Sequence, residues 1–237
     1  MKRIGLIGGL SWESTIIYYK LINELVRDQL GGLHSADCLV SSFDFAEIEV
    51  LQASGRWAEA TDRMIDAAQR LEKAGADFLL ICSNTMHKMA DQVQASVHIP
   101  LLHLADATAA RITARGLKRI GLLGTRFTME EDFYKGRLIN QHGLDVIVPD
   151  AEDRRIVNAA IYDELCQGII SPTSKQQYIG IMRKFIEAGA QGIILGCTEI
   201  TLLVNQDDSR VPLFDTTAIH AEVAVEYALT ADAEMSK

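Results

Sequence analysis

Short apolar runs alternate with longer stretches of helical spacing along nearly the whole chain. KRIGLIGG (2–9), DCLVSSF (37–43), ADFLLIC (76–82) and IPLLHL (99–104) are apolar or β-branched and bounded by turn residues. So are KRIGLLGT (118–125), LDVIVP (144–149), GIILGC (192–197) and VPLFD (211–215). Between them lie segments such as WAEATDRMIDAAQRLEKAG (57–75) and SKQQYIGIMRKFIEAG (174–189), whose apolar positions recur at helical intervals. Strands that alternate with helices predict an α/β fold, a mostly parallel sheet covered by helices on its faces.

The pattern occurs twice. KRIGLIGG at 2–9 returns as KRIGLLGT at 118–125, an offset of 116, and RLEKAGADFLLICSNT at 70–85 matches KFIEAGAQGIILGCTE at 184–199, an offset of 114. IPLLHL at 99 corresponds to VPLFDT at 211, an offset of 112. Any two βα units could share one such match, but three in the same order imply a duplication. The expected architecture is two similar parallel-sheet α/β domains related by a pseudo-twofold axis, with the active site in the cleft between them. Residues 1–104 with 212–237 form the first domain, whose closing helix returns to it, and 105–211 form the second.

Composition narrows the function classes. With 23 basic and 32 acidic residues, a net charge of −9, the chain is not built to bind nucleic acid or an anionic membrane. No run approaches the ~18 apolar residues of a membrane helix. The N-terminus lacks a signal-peptide pattern, so a cytoplasmic chain is expected. Cys38, Cys82, Cys166 and Cys197 show no CxxC spacing and no Cys/His cluster, which predicts reduced thiols and no zinc site.

Under the repeat, Cys197 is the counterpart of Ser83. Each closes an apolar strand eight residues after a Gly-Ala turn, at Gly75 and Gly189. Each opens a polar pair, Asn84-Thr85 in one half and Thr198-Glu199 in the other. Ligands of open parallel sheets bind at the carboxyl ends of the strands, where backbone N–H groups accept anions. Two acid/base groups on opposite sides of one carbon are what inversion of a stereocentre requires. A thiol whose pKa is lowered at a helix N-terminus would supply a thiolate near neutral pH. No cofactor is demanded by such a scheme. Thr125, Arg126 and Thr128, in GTRFTME, occupy the place of Gly9-Leu10-Ser11. They are candidates for holding an α-carboxylate, with N-capping an equal reading for Thr128. Gly8 and Gly9 fit a tight strand–helix turn, but GLIGGL does not meet GxGxxG, so nucleotide binding is not favoured. His87 either orients a motif side chain or is a structural partner.

The sequence resembles the aspartate/glutamate racemase family, cofactor-independent amino-acid racemases, over essentially its full length. GLIGGLSWEST resembles that family's glycine loop, SNTMH its first-cysteine motif and GCTEI its second. The resemblance implies two α/β domains, a homodimer, and an amino acid as the small-molecule substrate. It implies Cys197 and Ser83 as the acid/base pair. Leu10, Ser11, Asn84, Thr85, Thr125, Thr128, Thr198 and Glu199 would then surround the substrate. Two departures bear on activity. Ser83 stands where the family usually has cysteine, so the two directions of proton transfer should be unequal. The stretch SSFDFAEIEVLQ, ending at Gln52, lacks the arginine that many aspartate racemases use for the distal carboxylate, and Cys166 in IYDELCQG stands where their lysine lies. Neutral or several kinds of side chain are therefore expected over strict aspartate or glutamate use. The rivals are an arylmalonate-type decarboxylase, which needs only the second cysteine, and a binding protein without chemistry. Cys82, next to Ser83, is read as core.

Overall fold

The computed structural model describes residues 1–234 and divides into two compact units. The first comprises Met1–Leu104 with the chain from His220 onward, and the second comprises Ala105–Ile219.

In the first unit, strands β1 (Ile4–Gly8), β2 (Cys38–Ser42) and β3 (Phe78–Ile81) form a parallel sheet in the order β2-β1-β3. Helices α1 (Trp12–Leu30), α2 (Phe45–Ala53) and α3 (Trp57–Lys73) connect them, and α4 (Ala90–Ala95) follows β3. Strands β1 and β3 are buried at every position, as expected where helices cover both faces of a parallel sheet. Alternation sorts the side chains. Ile7, Leu79 and Ile81 face a core with Met64, Ala67, Ala68 and Leu71 of α3. Ile4, Leu6, Phe78, Leu80 and Cys82 face Tyr18 and Ile22 of α1 and the small residues Ala221, Ala224 and Ala228. Cys82 is therefore core, as its neighbour's strand position required, and burial pushes its thiol far up.

In the second unit, α5 (Leu104–Ala114) leads to β4 (Arg119–Gly124), followed by α6 (Arg126–Glu130), α7 (Lys135–His142) and β5 (Asp145–Ile147). Then come α8 (Ala151–Ala159), α9 (Pro172–Glu187), β6 (Gly192–Gly196), α10 (Ile200–Leu203), β7 (Leu213–Asp215) and α11 (Thr216–Glu234). The sheet order is β5-β4-β6-β7, all parallel. The strand equivalent to β7 is much shorter in the first unit. IPLLHL makes one isolated bridge, Leu79 to Leu101, although Pro100 and Pro212 accept equivalent backbone hydrogen bonds from Leu79 and Ile193 at 2.8 and 2.9 Å.

The repeat extends to details. Arg3 pairs with Asp37 at 2.9 Å as Arg119 pairs with Asp145 at 3.0 Å, each joining the first strand of its sheet to the edge strand. One boundary differs from expectation. The second unit ends at Ile219 rather than at 211, because VPLFD is hydrogen-bonded to β6 and cannot leave that sheet. The chain crosses back within α11, whose residues from His220 belong to the first unit. Among the described residues no helix is long and apolar enough to cross a membrane.

Candidate active site

The glycine loop follows β1. Gly9 has φ +72°, and a Cβ there would lie 2.2 Å from the Phe43 carbonyl oxygen, so only glycine fits. Thr15 Oγ1 accepts a hydrogen bond from the Gly9 amide at 2.8 Å. Ser11 is the N-cap of α1, accepting from Ser14 N–H at 3.4 Å. Leu10 turns its side chain into the apolar core, so only its backbone can meet a ligand.

The equivalent loop of the second unit is shorter. Thr125 caps α6, accepting from Thr128 N–H at 3.3 Å, as Ser11 caps α1. The correspondence therefore runs Ser11 to Thr125, and Gly9-Leu10 is extra. This corrects the alignment of Gly9-Leu10-Ser11 with Thr125 to Thr128. Thr128 is not the cap. It is fully buried, its hydroxyl 3.2 Å from that of Thr125, and its methyl group fills the space over Gly124 and Gly196.

Ser83 lies past the end of β3, half-buried, at the entrance to a 3-10 turn, Thr85–Met89. Its hydroxyl accepts from the Met86 amide at 3.4 Å, and its carbonyl lies 2.6 Å from His87 Nδ1. Asn84 and Thr85 are buried beside it. Gln52, near the end of α2, is also buried and donates from Nε2 to Met86 Sδ at 3.0 Å, which ties α2 to this turn. The first-unit candidates Ser83, Asn84, Thr85 and Gln52 are thus gathered around one strand end.

Cys197 ends β6 on the face that carries Ile193 and Leu195, the counterparts of Leu79 and Ile81. It is only 9% exposed and packs in the apolar cluster with Leu165, Tyr178 and Ile200. Its Sγ–H donates to Glu199 Oε2 at 2.9 Å. Burial, then the Glu199 carboxylate and Cys166, push the thiol well above its ordinary range. This reverses the expectation of a thiol made acidic by a helix start. The following helix, α10, has four residues, while the apolar packing surrounds the sulfur on the side the strand faces. Cys197 is thus a buried thiol aimed at Glu199. Thr198 is buried and accepts from Thr217 Oγ1 at 3.2 Å.

Cys166 lies in a 3-10 turn, Leu165–Gln167, that follows a π-helical turn, Ala160–Glu164, at the end of α8. It is half-buried against the Cys197 cluster. Such π turns often mark functional positions. Tyr178 of α9 is held by the Val157 carbonyl at 3.0 Å, and Cys197, Glu164 and Cys166 add to the burial that raises its phenol. Tyr178 on α9 and Glu164 in the turn after α8 carry no motif signal; only tertiary packing brings them here.

Arg56, Arg63, Lys88 and Arg126 have acidic or aromatic partners. Arg56 pairs with Glu59 at 2.7 Å and Arg63 with Glu47. Lys88 lies 4.3 Å from the centre of the Trp57 ring, and Arg126 lies 5.2 Å from that of Phe127. Among the described residues no group of three or more His, Cys, Asp or Glu side chains is arranged to hold a metal ion.

Comparison with known proteins gives concordant results. The profile of the Asp/Glu/hydantoin racemase family matches residues 7–224. A crystal structure of a candidate Asp/Glu racemase from Yersinia pestis is 57% identical, with 97% of this chain and 100% of that one covered and a TM-score of 0.92. An aspartate racemase homologue from Pyrococcus horikoshii is 36% identical over 96% of this chain and 99% of its own, with a TM-score of 0.84. The broad specificity amino-acid racemase RacX of Bacillus subtilis is 26% identical over 170 residues, covering 70% of this chain and 71% of its own.

Proposed function

The chain belongs to the Asp/Glu/hydantoin racemase family, and we propose that it inverts the α-carbon of a free amino acid by two-base proton transfer, without a cofactor, in the cytoplasm. Family and relatives make it an isomerase of the amino-acid racemase kind. The observation that carries the mechanism is the Cys197–Glu199 hydrogen bond at a strand end whose duplicate presents Ser83.

A buried thiol beside a carboxylate cannot abstract a proton until it has lost its own. Glu199 Oε2, 2.9 Å away, is placed to take it. Once protonated, Glu199 no longer repels the thiolate, so the pair stores one proton and exposes one base. In the opposite direction Cys197 begins as a thiol and delivers its proton to the carbanion. Ser83 serves the other face of the α-carbon. Its hydroxyl accepts from the Met86 amide, which favours the oxygen when it carries negative charge. Ser11 and Thr125 with their loops, together with Asn84, Thr85 and Thr198, would hold the α-carboxylate and amine, and Gln52 and Cys166 would border the side chain.

The substrate reading is a neutral side chain, or several kinds. Arg56, Arg63, Lys88 and Arg126 are held by acidic or aromatic partners, and the second-unit cluster contributes Glu164 and Glu199. An unpaired distal carboxylate there would be costly. The broad specificity of the Bacillus subtilis relative points the same way. A homodimer is proposed as well. Trp12, Ile16 and Tyr19, exposed by 60, 53 and 52%, form a stripe along one face of α1 that self-association would cover.

The test is chiral chromatography of L- and D-homoserine, methionine, aspartate and glutamate after incubation without added cofactor. Racemisation led by homoserine or methionine supports the whole reading. Racemisation confined to aspartate and glutamate overturns the specificity alone, and none across the panel removes the racemase assignment for these amino acids. A second reading, decarboxylation of a substituted malonate, is favoured by one observation: a protonated thiol in apolar packing suits a lone proton donor. Release of CO2 from such a substrate would promote it.

A further inference from the structure

We propose that His87 is a positioning residue for Ser83, fixing the backbone of the first strand end so that the hydroxyl meets one face of the substrate. This rests on the two-base reading above.

His87 is 98% buried, and neither ring nitrogen is free to change its role. The amide of Leu104 donates to Nε2 at 3.2 Å, and an amide can only donate. Nε2 therefore carries the lone pair and Nδ1 the proton. Nδ1–H then donates to the Ser83 carbonyl at 2.6 Å. One neutral imidazole so clamps the residue that carries the hydroxyl to the start of α5, 17 positions beyond the histidine.

A second histidine reinforces this state. His220, fully buried on α11, donates from Nε2 to the Leu102 carbonyl at 2.9 Å. Its Nδ1 accepts from the Tyr18 hydroxyl at 2.9 Å. Burial and the neighbouring His87 hold it at about 3, so it is neutral. The His87 and His220 rings are 5.8 Å apart, and His103 lies 4.7 Å from His87 on another side. Leu102 and Leu104 are thus both pinned by histidines, and the chain that receives the His87 clamp is itself fixed through His220 to Tyr18 of α1.

The second unit lacks this device. The counterpart of His87 is Thr201, whose hydroxyl donates to the Thr198 carbonyl at 2.8 Å. The Cys197 carbonyl is held instead by the Ile200 amide of the next turn at 3.2 Å. A hydroxyl is a poorer acid/base than a thiol, and its contribution depends more heavily on exact placement. The clamp is found on the side that needs it.

The experiment follows α-proton loss by NMR in D2O from each enantiomer of the four amino acids separately. It compares the wild type with Ser83→Ala, Cys197→Ala, His87→Ala, His87→Asn and His87→Gln, after circular dichroism has established folding. Ser83→Ala and Cys197→Ala identify the enantiomer that each face deprotonates. His87→Ala should then slow exchange from the Ser83-facing enantiomer by on the order of 10²-fold, the cost of a misplaced group, and spare the other. Asparagine can still donate from near the Nδ1 position, so His87→Asn should restore most of that loss, and His87→Gln should not. If His87→Ala does not fold, His87→Asn against His87→Gln carries the same test. Equal loss from both enantiomers in the His87 variants would overturn the positioning role while leaving the two-base reading intact. If Ser83→Ala slows neither enantiomer, reading and inference fall together.

Discussion

The two strand ends are fastened at different places. At Ser83 the backbone is clamped, by a histidine that bridges to α5, and the side chain is half-buried with an amide donating to its oxygen. At Cys197 the backbone is held by the ordinary hydrogen bond of a short turn, and the side chain itself is fastened to Glu199 in apolar surroundings. Thr85 occupies the place of Glu199 in the first half, and Thr201 that of His87 in the second. The duplication kept the two strand-end positions and exchanged the means of holding them. A thiol has protons that can be tuned by a neighbouring carboxylate; a hydroxyl, whose proton is far harder to remove, gains more from placement.

This comparison can be broken most strongly at Cys197. Cys197→Ala should lower racemisation by on the order of 10⁴-fold, the upper end for loss of a general acid/base, as read by chiral chromatography with folding monitored by circular dichroism. Glu199→Gln should cost about 10²-fold in turnover, because the thiol loses the group that takes its proton. The same change should make Cys197 alkylate faster with iodoacetamide. The Glu199 charge and hydrogen bond both hold the thiol's pKa up, and their removal lets it fall. Opposite signs in turnover and alkylation are the signature; a fall in both would deny Glu199 the proton. Ser83→Cys should make the halves more alike and bring the rates from the two enantiomers closer, by roughly tenfold in their ratio. An unchanged ratio would place the asymmetry elsewhere.

The smallest effect concerns stability. His220 is neutral when folded, with its pKa depressed from 6.5 to about 3, so between those values the unfolded chain binds a proton that the native chain does not. Stability from this group is present above pH 6.5 and is lost as the pH falls toward 3. In His220→Gln the melting temperature should therefore drop less steeply with acid, the difference reaching about 1 kcal/mol by one pH unit below 6.5. Parallel melting profiles would show that His220 is not the group that titrates.

The duplication was legible because its marks are local. An AGA turn before an apolar run, and a proline opening the last strand of each half, recur at offsets of 114 and 112. What sits at the strand ends was therefore also legible: Ser83 and Cys197 occupy equivalent places. The boundary at His220 was not, since it depends on which sheet VPLFD joins, a pairing between distant segments. The state of Cys197 was misread for the same kind of reason. A thiol before a turn suggests an acidic thiol, but the sulfur faces the side on which α9 and the Leu165 turn pack, and burial there decides the sign. The histidine clamp was legible only at one end: His87 stands four residues after Ser83, but its partner Leu104 and the second histidine left no spacing to read. Tyr18 and His220 are 202 positions apart and meet only because α11 returns to the first unit. Gly9-Leu10 as an insertion was hidden because both halves read as a glycine followed by a polar cap.

The proposed inversion requires that each of these two unlike strand ends serve one enantiomer. Its most direct test is face-resolved deuterium incorporation in D2O at neutral pH, with Cys197→Ala and Ser83→Ala measured side by side against each enantiomer of the best substrate. Two-base transfer predicts complementary losses: each variant stops exchange from one enantiomer, and not the same one. Loss of the same enantiomer in both variants, or full inversion by Ser83→Ala, would contradict it.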